Sequence, residues 1–234
     1  MFIARATGLS RRKADSAIQR GAVSVNGKMT TNPAVRVDGS EKIKFHGENV
    51  ELPDRNIWIA INKPDGYITS RDDQFDRPVV MDLLPQKYKK LFPVGRLDYR
   101  TTGLLLFTND GELANRMLHP RYNVPREYLV TIEGNLSPEK IATAKNGIVI
   151  DNRPAIPVKL ILRSKKRNRE KWIIEFVEGR YHEVRRFFEA LGYRVRSLTR
   201  LSFGGISLGN LQKGKWRLIS DSEIQNLKDR LEKY

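Results

Sequence analysis

The chain has 234 residues and a mass of 27.0 kDa, which is enough for one large domain or two unequal ones. Its 43 Lys and Arg residues outnumber its 27 Asp and Glu residues, so the net charge is +16 and the pI is about 10.1. This charge indicates a polyanionic partner, either a nucleic acid or an anionic membrane surface. Because the sequence contains no cysteine, disulfides, thiolate metal sites and a cysteine nucleophile are excluded.

Hydropathy gives no sign of a membrane segment. No apolar run approaches the length that would span a bilayer, and residues 1–5 are charged too early for a signal peptide. We therefore expect an untargeted, cytoplasmic protein.

The first fifty residues predict a small basic module. Ser10 is suited to cap a helix that ends at Gly21. An alternating strand at 23–25 runs into Asn26-Gly27, which is the strongest short signal for a β-hairpin. We expect this module to occupy residues 1–52, with a basic face that is either merely solvated or binds nucleic acid.

A polar linker at 53–56 leads into a second, larger domain, expected over residues 57–234. Apolar runs predict strands at 57–61, 104–108, 128–132, 158–162 and 172–177. Helices are predicted at 112–118, 137–146 and 182–191, and a capping box at 220–223 begins a terminal helix. Because strands outnumber helices and do not alternate with them, we expect an α+β fold with a mixed, largely antiparallel sheet flanked by helices.

A strongly basic segment lies between the last two predicted strands of that domain. Residues 163–171 include six basic residues and one acidic residue. The segment is either a solvated hairpin tip or a finger that contacts phosphates, and the overall charge favours the second interpretation.

The segment with the most chemical information is the loop at 95–103. Gly95 and Gly103 bracket Arg96 and Asp98, and the loop runs directly into an apolar strand. Composition alone leaves three roles open for Asp98: a turn former, an ion-pair partner of Arg96, or a positioned catalytic carboxylate.

A family resemblance favours the catalytic role. The pattern Gly-Arg-Leu-Asp-x-x-Thr-x-Gly-Leu-Leu over 95–105 resembles the signature of the RsuA/RluB family of ribosomal-RNA pseudouridine synthases, and similar blocks occur at 62–66, 126–130 and 178–186. Residues 8–15 and 21–27 resemble the alpha-L RNA-binding motif, with an abbreviated first helix. The resemblance therefore extends over nearly the whole chain.

The resemblance implies roles for individual residues. Asp98 matches the catalytic aspartate, which attacks the target uridine at either the ribose anomeric carbon or the uracil ring. Tyr128 matches a tyrosine that stacks on the flipped base and assists removal of the proton at carbon 5. Arg185 matches the basic residue that pairs with the aspartate and keeps it ionised.

Further residues are expected to contact the substrate. Arg96 and Lys63 lie in matched blocks, and Leu198, in preference to Val195, is expected to form the second wall of the base pocket. The three histidines show no ligand spacing and the glycine patterns of nucleotide cofactor sites are missing, so we expect no metal and no cofactor.

The resemblance implies that the chain acts on ribosomal RNA, and we expect a monomer that does not bind a membrane. Segments at 71–73, 77–78 and 112–116 are more typical of the large-subunit branch of the family, whereas 178–182 is more typical of the small-subunit branch. We expect large-subunit RNA as substrate, with small-subunit RNA as the alternative. The competing functions are those of a non-catalytic RNA-binding assembly factor and of a basic protein at the membrane surface.

Overall fold

The structure, a computed structural model, describes residues 1–71 and 73–232. Asp72, which belongs to one of the segments typical of the large-subunit branch, lies outside the described residues.

The N-terminal module packs two helices on a small antiparallel sheet whose strand order is β2-β1-β3-β4. Its elements are α1 (Phe2–Thr7), α2 (Arg11–Gln19), β1 (Val23–Val25), β2 (Lys28–Thr30), β3 (Ile43–Phe45) and β4 (Glu48–Asn49). Its core joins Ile3 of α1 and Ile18 of α2 to Ile43 of β3.

The local predictions for this module are confirmed. Ser10 caps α2, because its hydroxyl accepts the backbone N–H of Lys13 at 3.2 Å. Asn26 and Gly27 both have positive φ, as a tight hairpin turn requires. The first helix is short, as expected, with six residues.

The larger domain is a nine-stranded sheet with helices, a separate hairpin and three short 3-10 segments. Its strands are β5 (Trp58–Lys63), β6 (Phe92–Val94), β7 (Thr101–Thr108), β8 (Arg126–Glu133), β9 (Ile148–Ile150), β10 (Arg153–Ala155), β11 (Lys159–Lys166), β12 (Arg169–Phe176), β13 (Val195–Phe203), β14 (Ile206–Ser207) and β15 (Trp216–Leu218). Its helices are α3 (Gly111–Leu118), α4 (Pro138–Asn146), α5 (Glu183–Ala190) and α6 (Asp221–Leu231). The sequence predictions for five strands and four helices are confirmed, with shifted ends.

The sheet order is β11-β12-β8-β13-β7-β5-β15, with β6 paired to β7 and β14 paired to β13. Every neighbouring pair is antiparallel except β7 and β13, which are parallel. Strands β9 and β10 form a separate hairpin. The expected mixed, largely antiparallel sheet is therefore confirmed.

Both faces of the central strands are covered. In β7, Leu104 and Leu106 pack into one core, whereas Leu105 and Phe107 pack into the core on the opposite face. All six residues of β5 are buried. Burial on both faces explains why these strands are nearly continuous apolar runs rather than alternating ones.

Two parts of this sheet differ from the sequence predictions. Strand β13 was missed, because charged and hydroxyl side chains interrupt its apolar residues and hide its periodicity. The basic segment 163–171 is mostly strand, since β11 and β12 extend to a two-residue turn at 167–168. Its side chains are largely exposed, as expected for a solvated hairpin. Contact with phosphates stays a prediction.

The parallel pair depends on a close backbone contact at Gly103. Gly103 has φ +99°, and a Cβ built on it would lie 2.3 Å from the carbonyl oxygen of Arg200. A side chain at this position would therefore push β7 away from β13 and strain the backbone.

We expect Gly103→Ala to lower the free energy of unfolding by about 3 kcal/mol or more, since it combines backbone strain with a steric clash. Gly192→Ala is the matched control, because Gly192 has a similar φ of +92° and open space where a Cβ would lie. The control should lose only about 1–2 kcal/mol. Urea unfolding of both variants measures the difference, and equal losses would show that the contact between the strands is unimportant.

Candidate active site

Asp98 lies in the loop between β6 and β7, at the point where the chain enters the centre of the sheet. Its side chain is 37% exposed. The backbone N–H of Thr101 donates to the Asp98 carbonyl at 3.0 Å, and the Thr101 hydroxyl lies 3.4 Å from Asp98 Oδ2. The carboxylate is therefore accessible on a loop whose backbone is fixed.

The loop that carries Asp98 is held by hydrogen bonds from Lys63. The Lys63 ammonium is fully buried and donates to the carbonyl oxygens of Pro64 at 3.1 Å, Tyr99 at 3.1 Å and Thr101 at 2.9 Å. The expectation that Lys63 contacts the substrate is therefore wrong in this structure. Its three N–H donors are used within the protein, and these hydrogen bonds fix the backbone of the loop that carries Asp98.

Thr69 makes a second attachment to the same loop. Its hydroxyl donates to the Leu97 carbonyl at 2.7 Å and lies 3.2 Å from the Leu97 N–H. The residue before Asp98 is thus held through both of its backbone polar groups, which limits the positions that the Asp98 carboxylate can take.

Asp98 opens into a cavity of about 580 Å³ that gathers several of the predicted residues. Arg96, Tyr128 and Leu198 all line it together with Asp98, whereas Val195 does not. Arg96 is exposed at the rim, Tyr128 is half-buried on β8, and Leu198 is buried on β13. The parallel register places Leu198 opposite Thr101 of β7, which brings the pocket wall to the loop of Asp98.

Within the described residues, the basic side chain in contact with the Asp98 carboxylate is His182 and not Arg185. His182 Nε2 lies 3.2 Å from Asp98 Oδ1, and the ring stacks on Tyr181 with centroids 3.9 Å apart. Arg185 is half-buried on α5, is not among the lining residues, and makes no ion pair with Asp98 within the described part of the chain. The predicted pairing of Arg185 with Asp98 is therefore absent from this structure.

The position of His182 follows from how α5 begins. His182 precedes the helix in the left-handed conformation, with φ 53° and ψ 27°. The chain turns there, so the His182 side chain meets Asp98 while Val184 and Phe187 enter the core on the helix. The sequence offered one signal for this contact, which was the inclusion of His182 in the matched block at 178–186.

The floor of the cavity contains two buried arginines. Arg126 donates to the carbonyls of Val124 and Val177 at 2.9 Å, and Arg200 donates through Nε to the Leu104 carbonyl at 2.8 Å. Burial lowers the pKa of both guanidinium groups. Arg200 was not predicted as a site residue, because nothing in its neighbourhood in the sequence distinguishes it from a surface arginine.

Burial also affects two other groups near the site. It lowers the pKa of Lys63 to about 8, against the opposing effect of the carboxylates of Asp65 and Asp98. It raises the pKa of Glu183, whose carboxylate lies 3.7 Å from Arg180 Nε.

The described residues include no group of three or more histidine, aspartate or glutamate side chains arranged to hold a metal ion. In the same part of the chain, no helix is long and apolar enough to cross a membrane.

Comparison with known proteins decides the family. A family model described as RNA pseudouridylate synthase matches residues 57–190, and a model described as S4 domain matches residues 1–43. The chain belongs to the RNA pseudouridylate synthase family. The resemblance noted in the sequence and the predicted enzyme class, a pseudouridine synthase, are thereby confirmed.

Full-length relatives support this membership. An uncharacterized RNA pseudouridine synthase of Aquifex aeolicus is 40% identical, over 97% of this chain and 91% of the relative. Ribosomal large subunit pseudouridine synthase B of Bacillus subtilis is 37% identical, over 97% of this chain and 93% of the relative. A crystal structure of a pseudouridylate synthase aligns with a TM-score of 0.70 and 32% identity, over 96% of each chain.

We expect Lys63→Met to lower the free energy of unfolding by about 2–3 kcal/mol at pH 7, because it leaves buried carbonyl oxygens without their donor. The control is Lys213→Met, at an exposed position, which should change stability by less than about 0.5 kcal/mol. The pKa of Lys63 is about 8 in the folded state, against 10.5 for the unperturbed group. The unfolded state therefore binds more protons between these values, and the stabilisation due to Lys63 rises with pH over that window. Urea unfolding at pH 7 and pH 9.5 should show a larger loss at pH 9.5, and a smaller one would refute the buried-ammonium description.

His182→Ala and Arg185→Ala test which residue supports Asp98. We expect His182→Ala to lower the single-turnover rate of uridine conversion about tenfold, since it removes the observed contact of the carboxylate. Arg185→Ala should have a smaller effect. The opposite ranking would mean that Arg185 replaces His182 beside Asp98 when RNA binds.

Proposed function

We propose that this chain converts a specific uridine of ribosomal RNA, and of the large-subunit RNA in particular, to pseudouridine, with Asp98 as the nucleophile. The observation that carries the proposal is the placement of Asp98 on a clamped loop, facing a cavity whose wall includes Tyr128 and Leu198. This arrangement places a carboxylate of fixed position beside an apolar and aromatic pocket that suits a planar base.

The isomerisation needs few groups. The bond from N1 of uracil to the ribose breaks, the base turns, a bond from C5 to the same ribose carbon forms, and the C5 proton leaves while N1 gains one. No atom is gained or lost overall, so a carboxylate nucleophile and a proton acceptor suffice. In this proposal Asp98 supplies the nucleophile, at either the ribose or the ring, and Tyr128, which lines the same cavity, assists at C5.

The uridine must leave its stack to react. A carboxylate within a cavity cannot reach the glycosidic carbon of a paired nucleotide, so the base has to flip into the protein. The cavity volume of about 580 Å³ suits one nucleotide. Tyr128 would stack on one side of the base, which adds roughly 1–3 kcal/mol of binding free energy. Leu198 would pack against the opposite side of the base.

Exposed cations around the cavity and on the N-terminal module suit the RNA backbone. Arg96 and Arg153 line the cavity mouth, and Arg11 and Arg12 are exposed at the start of α2. The module is linked to the catalytic domain by a hydrogen bond from the Arg71 guanidinium to the Gly8 carbonyl. We expect both groups of cations to contact phosphates of the RNA.

The choice of large-subunit RNA rests on the relatives, several of which are named ribosomal large subunit pseudouridine synthase B. Pseudouridine mapping in both ribosomal RNAs, from cells with and without this protein, tests it. Loss of one site from large-subunit RNA is expected, and loss from small-subunit RNA would reverse the choice. Action in the cytoplasm and the monomeric state stay predictions.

Asp98→Asn should reduce conversion below about one hundredth of the wild-type rate while RNA affinity changes less than threefold, because asparagine has the same shape but is no nucleophile. Release of tritium from C5 of labelled uridine measures turnover. Asp54→Asn, at an exposed position in the linker, is the control for loss of a carboxylate. Conversion by Asp98→Asn at a rate within tenfold of wild type would remove Asp98 from its central role, and unchanged modification in cells would favour a non-catalytic assembly factor.

Replacing Arg11 and Arg12 together with Gln should weaken RNA binding and leave the saturated single-turnover rate nearly unchanged. Each lost phosphate contact should reduce the slope of log affinity against log salt by about 0.7–0.9. The matched control removes two exposed charges elsewhere, with Lys213→Gln and Lys215→Gln. If both pairs changed the slope equally, the effect would reflect net charge and not a contact by the module.

A further inference from the structure

We propose that Arg200 recognises the flipped base by donating a hydrogen bond to the carbonyl oxygen at C4 of uracil, and so selects uracil over cytosine. The inference rests on the proposed function and adds a specificity residue to the same site. Its basis is a charged donor group that is almost fully buried, lines the cavity, and has an N–H group with no partner among the described residues.

The position of Arg200 is fixed by the sheet. It lies on β13, opposite Tyr128 of β8 in the antiparallel register and opposite Gly103 of β7 in the parallel register. The side chain is anchored by its Nε, which donates to the Leu104 carbonyl at 2.8 Å, and by the Phe203 ring, whose centroid lies 4.9 Å from the guanidinium carbon. The guanidinium is thus held beside the aromatic platform of the pocket.

The polar neighbour of this guanidinium in the cavity is the Tyr128 side chain. Arg200 is 2% exposed, and its Nη2 has no hydrogen-bond partner among the described residues. A buried donor without an acceptor costs about 1–3 kcal/mol, and more when it belongs to a charged group. A ligand acceptor that reached such a group would form a hydrogen bond in a low-dielectric environment. That bond would add more binding free energy than a bond to a water-exposed donor.

Arg126 provides the comparison within the same cavity. It is also buried, and its two terminal nitrogens donate to the carbonyls of Val124, Val177 and Met117. The terminal nitrogens of Arg126 are therefore satisfied by the backbone, whereas Arg200 Nη2 lacks a geometric hydrogen bond within the described residues and has the Tyr128 side chain as its polar neighbour. This difference assigns the ligand contact to Arg200.

The depth of Arg200 favours the base over a phosphate. The phosphates of a flipped nucleotide remain on the RNA strand at the cavity mouth, where the exposed Arg96 and Arg153 lie. The ribose carbon must approach Asp98, which is partly exposed. In the uracil ring, C4 lies across from N1, so its oxygen reaches furthest inward and meets the most buried donor.

This contact would distinguish the two pyrimidines. Guanidinium has donors only, and uracil presents an acceptor at C4 where cytosine presents an amino donor. A cytosine in the cavity would place donor against donor and leave both without an acceptor. Such a mismatch of buried polar groups gives strong discrimination.

The test is a double-mutant cycle between protein and RNA, with binding measured in the Asp98→Asn background so that the RNA stays unconverted. The probes are a ribosomal RNA fragment that the wild type converts and the same fragment with 2-pyrimidinone, which lacks the C4 oxygen, at the target position. Removing the oxygen should weaken binding about tenfold with Arg200 present and less than twofold with Arg200→Met.

Further measurements separate the outcomes. If Arg200→Met fails to fold, Arg200→Gln, whose amide can donate or accept, should reduce the preference for uridine over cytidine RNA at least fivefold. A fragment with 2-thiouridine tests the carbonyl at C2. Coupling at C2 alone, or no coupling in the folded variants, would overturn the proposal, whereas failure of the wild type to convert any uridine would refute the proposed function itself.

Discussion

The site depends on the parallel pairing of β7 with β13, which is the one parallel pair among the described strands of the sheet. This pairing joins two antiparallel parts, β11-β12-β8-β13 on one side and β7-β5-β15 on the other. The loop of Asp98 precedes β7, while the pocket residues Leu198 and Arg200 lie on β13. The proposed nucleophile and the proposed base pocket therefore belong to different parts of the sheet, and they meet because Gly103, which has no side chain, allows the two backbones to approach.

Much of this arrangement could be predicted from the sequence, and the exceptions have physical reasons. Helix caps, the first hairpin and the apolar strands depend on local residues, so their signals are local. The role of Lys63 could not be predicted from the sequence, because the sequence does not distinguish a lysine buried beneath a loop from a lysine that binds substrate. Strand β13 was missed for a related reason, since its charged Arg200 is buried by its neighbours in the sheet and not by its own pattern. The contact of Asp98 with His182 depends on tertiary structure in the same way.

Three buried cations lie near the loop of Asp98 and the cavity, and backbone carbonyls are their acceptors. Lys63, Arg126 and Arg200 each donate to main-chain oxygens, and within the described residues none of them forms an ion pair with a carboxylate. Carbonyl dipoles hold a cation in place without neutralising it. These buried cations therefore keep positive charge beside the cavity, which favours binding of an anionic nucleic acid.

The long hairpin of β11 and β12 has a consequence for the behaviour of the protein in solution. Strand β11 forms one edge of the nine-stranded sheet, and Lys165 and Lys166 are exposed near its end. An unpaired strand edge can template pairing with another chain, and lysines on the edge oppose this by charge repulsion and by the cost of losing their hydration. At the other edge, β15 has only three residues. The sheet thus ends in one charged border and one short border, and both features disfavour pairing of its edges with a further strand.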